Sequence, residues 1–81
     1  METNLVKEYS YMGNKVSIYT NRIEYKFAGK SSIIPIRNIA NIDLPLFLAC
    51  VDIKTNDGRK NKIPIAINKR EEFKNDILNL L

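Results

Sequence analysis

An 81-residue chain amounts to one small domain, 1–81, with a thin stability margin, because a chain this short buries only a little over half of its unfolded surface. Its 44% apolar and 27% charged content is that of a folded globular protein, and its net charge of +4, from 13 basic and 9 acidic side chains, suits solubility and favours acidic partners weakly. With no histidine and one cysteine, the common zinc sites, an internal disulfide and every histidine-based triad are excluded; no run of about 18 apolar residues spans a membrane, and no basic n-region with an apolar h-region opens the chain, so a cytoplasmic location is expected.

The chain reads as short strands followed by one helix, with strands over about 5–67. Over residues 5–12, Leu5, Lys7, Tyr9 and Tyr11 share one face and Val6, Glu8, Ser10 and Met12 the other, an impure alternation read as a strand. Gly13-Asn14 signals a turn. Residues 16–20 place Val16 and Ile18 inward, and Thr20-Asn21 breaks the run. Residues 22–27 give the cleanest strand: Ile23, Tyr25 and Phe27 point to a core while Arg22, Glu24 and Lys26 point to water, as in an antiparallel sheet with one solvated face. After the Ala28-Gly29-Lys30 turn, residues 31–36 resume, with Ile34 and Ile36 sharing a face. Pro35 lacks an N–H, so its nitrogen belongs at an edge or a bulge. Ile36, Ile39 and Ile42 then recur every third residue, the spacing of a short helical or 3-10 turn or of an irregular strand wrapping over the core, and Leu44-Pro45 ends the segment.

Residues 46–55 read as a further strand, with Phe47, Ala49, Val51, Ile53 and Thr55 on one face and Leu46, Leu48, Cys50, Asp52 and Lys54 on the other. Its first half is apolar on both faces and needs cover on both, supplied by the C-terminal helix, by a loop or by another subunit. Leu46, Phe47, Leu48 and Cys50 are therefore the interface candidates, Cys50 as a small buried hydrophobe and not a reactive thiol. Asn56-Asp57-Gly58 marks a hairpin, because glycine tolerates the positive φ such turns need. Residues 60–67 answer it, with Ile63, Ile65 and Ile67 inward and Pro64 outward, so that one stretch is unpaired or bulged. Asn68 followed by Glu71 predicts an N-cap and capping box for a helix over about 69–81. Phe73, Ile77, Leu80 and Leu81 form its apolar stripe, and Lys69, Arg70, Glu72, Lys74 and Asp76 its solvated side. A lone helix of about 13 residues is marginal in water, so packing on the sheet must hold it.

Six or seven short antiparallel strands closed by one amphipathic helix is a small set of architectures. Tyr19-Thr20-Asn21-Arg22-Ile23-Glu24-Tyr25 is similar to the strand-turn-strand element of the GRAM and bacterial pleckstrin-homology-like families. The segment 34–42, with Ile34-Pro35-Ile36 followed by Ile39 and Ile42, resembles their I-P-hydrophobic-x-x-I-x-x-hydrophobic stretch. Val51-Asp52-Ile53-Lys54-Thr55-Asn56-Asp57-Gly58 resembles their late hairpin, and Lys69-Arg70-Glu71-Glu72-Phe73 the opening of their closing helix. The resemblance runs in order over about residues 10–81. It implies a bent antiparallel sandwich or partly open barrel capped at one end by the helix, and a binding or scaffold module without catalysis. It does not imply a ligand, since one fold hosts many functions.

Pleckstrin-homology domains that bind inositol phosphates carry several basic residues around the first hairpin; here the segment 11–17 holds Lys15 alone, with Ser17 where an arginine would help. Lys54, Arg59, Lys60 and Lys62 face only Asp57 over nine residues, which makes them the anion-contact candidates. No aromatic platform interleaves them, so a solvated, aggregation-resistant edge is the simpler reading. Tyr9, Tyr11 and Tyr19 beside Lys15 and Arg22 form a stacking surface or, as strand tyrosines commonly do, bury their rings with the hydroxyls at the rim. Glu71 and Glu72 diverge by about 100° on a helix, Asp52 and Asp57 lie among lysines, and no serine has a base partner, so no catalytic residue, metal or cofactor is assigned. The expected function is a non-catalytic module acting through protein–protein contacts, including self-association as a homo-oligomer; the alternative is a small basic module binding nucleic acid or an anionic membrane surface.

Overall fold

A computed structural model describes residues 4–81. The first sheet begins with three consecutive hairpins whose loops are short enough to force neighbouring strands together: β1 (Leu5–Tyr11), β2 (Asn14–Tyr19), β3 (Arg22–Phe27) and β4 (Lys30–Pro35), in the spatial order β1-β2-β3-β4. Tyr11 pairs with Asn14 and Phe27 with Lys30, so each of these two connections has only two central residues. Both are left-handed throughout, Met12 at φ 51° with Gly13 at 81°, and Ala28 at 53° with Gly29 at 79°. That is the pattern of a type I′ turn, whose twist matches the flanking strands. A 3-10 turn over Ile36–Asn38 then leads into β5 (Ile39–Asp43), which pairs with β6 (Cys50–Thr55), which pairs with β7 (Lys60–Pro64). The described residues thus form two antiparallel sheets, of four and three strands, which do not close into a barrel, and one helix, α1 (Arg70–Leu78), after a second 3-10 turn over Ile67–Lys69.

The two sheets enclose one core. Val16, Ile18 and Ile23 from the first sheet and Val51, Ile53 and Ile63 from the second have no accessible surface, and Phe73 and Ile77 of α1 complete the cluster. Each such side chain contributes about 1.5–3 kcal/mol relative to exposure. Ile36, Ile39 and Ile42 are all buried, and their three-residue spacing resolves into both expected forms: the 3-10 turn carries Ile36, and β5, with a register shift between Ile39 and Asn41, carries the other two. Pro35 and Pro64 each end an edge strand, where a missing N–H is tolerated.

α1 is clasped by polar groups as well as by its apolar stripe. The Tyr9 ring meets Phe73 edge-on at 5.4 Å, and its hydroxyl lies 2.5 Å from Asp76 Oδ2 and 3.1 Å from Glu72 Oε2. Lys7 Nζ reaches Glu72 Oε2 at 2.6 Å. Burial, and then the Asp76 carboxylate, push the Tyr9 hydroxyl above its usual pKa, so it stays a donor. Among the described residues, no helix is long and apolar enough to cross a membrane.

Several expectations require correction. Residues 46–49 are not strand: β6 starts at Cys50, and 44–49 form the loop that reverses the chain after the Asp43–Asp52 pair. Pro45 offers no ladder donor there, and Phe47 turns left-handed with a φ of 63°, so the Phe47/Ala49 alternation does not extend β6, and Phe47 points to solvent. Phe27 is half exposed because it is the last residue before the hairpin turn and projects past the core. Ile67 is exposed because period-two alternation stops once the chain enters the 3-10 turn. Pro64 shares its face with Cys50, as an outward residue should, but is buried. Asn68 caps nothing: the backbone becomes helical at Ile67, so Asn68 lies inside the 3-10 turn, and Lys69 holds the N-cap position of α1 without a side-chain bond. α1 ends at Leu78, leaving Leu80 partly buried against the core and Leu81 exposed.

Candidate functional site

The loop 44–49, which joins β5 to β6, holds Pro45 and, two residues on, left-handed Phe47. Arg70, at the start of α1, donates from Nη1 to the Pro45 carbonyl oxygen, and the Ile65 N–H donates to the Ala49 carbonyl at 3.2 Å, so both ends of the loop are fastened. Between them Leu46 is 79% exposed, Phe47 87% and Leu48 49%. A bulky residue at positive φ is an uncommon conformation costing on the order of 1–2 kcal/mol. The fastening holds a wholly apolar tip in that conformation, facing water.

Beside the tip lies a shallow groove of about 230 Å³, lined by Phe27, Leu48, Ala49, Cys50, Lys62 and Pro64. Phe27 reaches it from the β3–β4 hairpin and meets Leu48 there, while Leu46 and Phe47 stand exposed on the same loop. Single exposed apolar residues need no explanation, whereas three large ones in succession on one short loop are uncommon on a folded surface. Three interface candidates, Leu46, Phe47 and Leu48, lie together in this loop. The fourth, Cys50, is buried at its foot, where burial and the Asp52 carboxylate raise the thiol pKa, making it a poor nucleophile at neutral pH. Phe27 was hidden from sequence reasoning by the perfect alternation of its strand; its place directly before the Ala28-Gly29 turn is the signal that could have found it.

The basic candidates are not gathered at one point. Lys54 and Lys60 pair across β6 and β7, and Lys62 sits opposite Asp52. These three lysines make no ion pair among the described residues. Arg59 is at the hairpin tip, 3.5 Å from Asp57. That tip is a type I turn closed by the Gly58 N–H to Thr55 carbonyl bond of 3.0 Å, followed by left-handed Gly58. Asp57 organises it, accepting from the Thr55 hydroxyl and from the Arg59 N–H, and these bonds hold its carboxyl below the usual range. Tyr9 and Tyr25 are buried and bond through their hydroxyls, Tyr25 to Asn61 Oδ1 at 3.2 Å. Tyr19 carries the Arg22 guanidinium 4.1 Å above its ring. Among the described residues, no three His, Cys, Asp or Glu side chains cluster as metal ligands would.

Comparison with known proteins finds no matching family model, no matching curated protein and no matching solved structure.

Proposed function

We propose that the chain is a non-catalytic, pleckstrin-homology-like interaction module that associates with a second copy of itself through the surface of Phe27, Leu46, Phe47 and Leu48. The two sheets of four and three strands with a C-terminal helix agree with the resemblance in the sequence. The observation that carries the association is the pairing of a knob with a hole: Phe47 stands 87% exposed beside a groove large enough for one phenyl ring. A surface that carries both is self-complementary under a two-fold axis, each copy placing its Phe47 in the groove of the other. Leaving both in water exposes the kind of apolar patch that drives aggregation.

Multi-angle light scattering at two concentrations tests this. The expected result is a dimer that persists in high salt and becomes a folded monomer on Phe47→Asp, because a carboxylate cannot remain uncompensated in an apolar contact. A wild type that stays monomeric at high concentration overturns the reading. So does a Phe47→Asp variant that remains dimeric.

A second reading rests on the unpaired lysines. Lys54, Lys60 and Lys62 share the outer face of the second sheet, with Arg59 at its hairpin, and suit weak contact with an anionic lipid surface or nucleic acid. It predicts salt-sensitive binding to anionic vesicles or to DNA, which the first reading does not.

A further inference from the structure

A cleft of about 750 Å³ opens where the β2–β3 turn, the end of β4, the first 3-10 turn and the residues after α1 meet. It shares no lining residue with the groove beside the loop 44–49. Its walls are mainly aliphatic, from Ile33, itself 62% exposed, with Pro35, Ile36, Leu80 and Leu81, and Thr20 and Asn21 add a polar side. The charged side chains that line it are both cationic, Arg22 and Arg37.

The two arginines differ. Arg22 is held by an ion pair with Glu24, by the Asn21 side-chain oxygen at 3.0 Å and by the Tyr19 ring, so its charge is balanced within the fold. Arg37 is exposed, and its side chain has no partner among the described residues. Its backbone is nevertheless fixed, because the Arg37 carbonyl accepts from the Asn56 side chain at 3.3 Å and the turn that carries it is pinned by the Ile36 N–H to Asn21 carbonyl bond of 2.9 Å. A guanidinium with no partner among the described residues, carried on a pinned backbone and lining a largely aliphatic cleft, is matched by a ligand with a carboxylate head and an apolar body.

We infer that this cleft binds a small aliphatic carboxylate, the carboxylate on Arg37 and the chain along Ile33, Pro35, Ile36 and Leu80. The volume falls within the range of small-molecule sites, about 300–1,000 Å³. The edge beside it discourages an extended peptide: Pro35 has no N–H and that of Ile36 is already used, so the β4 end offers an added strand no donor from these two residues.

The test is a titration of the full chain with sodium decanoate below its micellar concentration, followed by amide NMR shifts and calorimetry. One saturable site is expected, with shifts at Ile33, Arg37 and Leu80. Arg37→Ala weakens it about fivefold or more, as loss of a charge-assisted hydrogen bond requires. Ile33→Asp abolishes it while preserving the shift dispersion of the fold, since Ile33 is largely exposed. Decyltrimethylammonium, with the same chain and the opposite charge, binds more weakly. The inference is overturned if decanoate does not saturate, if the ammonium binds equally, if Arg37→Ala changes nothing, or if the shifts fall on Phe27 and Leu48. A leucine- and glutamate-rich peptide that occupies the cleft when decanoate does not also overturns it, in favour of protein docking.

Discussion

Phe73→Ala probes how the helix closes the core. Phe73 has no accessible surface, sits one turn before the equally buried Ile77, and stacks edge-on against Tyr9 at 5.4 Å. Removing a buried phenyl ring costs about 3–5 kcal/mol in lost transfer energy and cavity. The lost aromatic pair, worth about 0.5–1.5 kcal/mol, places this site in the upper half of that range. A domain of this length has a total stability of about 4–12 kcal/mol, so the variant is left marginal. The chain lacks tryptophan, so urea unfolding is best followed by far-ultraviolet circular dichroism, with the tyrosine signal as a second probe. The expected result is a much lower midpoint at an unchanged slope, and a melting temperature lower by at least about 12 °C. Leu81→Ala, at an exposed position outside α1, is the control and should change little. A loss below about 0.5 kcal/mol for Phe73→Ala, or one equal to that of Leu81→Ala, would falsify the claim that α1 completes the core.

Other expectations follow from single features. Ala28→Asn should stabilise by about 0.5–1 kcal/mol in urea unfolding, because asparagine tolerates the left-handed first position of a type I′ turn that alanine strains to adopt; an unchanged midpoint refutes that turn. Replacing Arg59 and Lys60 together by serine should leave the fold and the oligomeric state unaltered, and abolished binding to anionic vesicles in that variant would favour the basic-face reading instead. Acid should weaken the clasp on α1. Lys7, first, and the Tyr9 hydroxyl hold the Glu72 carboxyl below its ordinary value of 4.5, so its contribution is complete above that pH and is lost as the pH falls through the lower folded value. Asp57 acts with the same sign from an ordinary value of 3.8. The urea midpoint should therefore be flat from about pH 7 to 5.5 and decline below about 4.5; a Glu72→Gln variant should show a shallower acid decline, and an unchanged one speaks against the clasp.

Wherever a local rule had no competitor, the sequence alone determined the outcome. Arg22 to Tyr25 alternate cleanly because a strand has only two faces, and the observed strand buries Ile23 and Tyr25 as that pattern requires. Gly13, Gly29 and Gly58 mark the β1–β2, β3–β4 and β6–β7 hairpins, since each adopts a positive φ that other residues resist. The helix stripe of Phe73 and Ile77 was legible for the same kind of reason, a period of 3.6 residues. Tertiary structure decided what lies at the ends of elements. Residues 46–49 continue the alternation of β6 on paper, yet β5 and β6 can reverse only through a loop, and that loop takes them. Asn68 has the composition of an N-cap, but a 3-10 turn already begins at Ile67, so the first helical residue comes earlier and no side-chain cap forms. The apolar run of Leu46, Phe47 and Leu48 was legible in the sequence, but both clefts were beyond reach for one physical reason: each joins segments separated in the chain, Phe27 with Leu48 and Ile33 with Leu80, and periodicity describes which face a residue takes but not which distant face it meets.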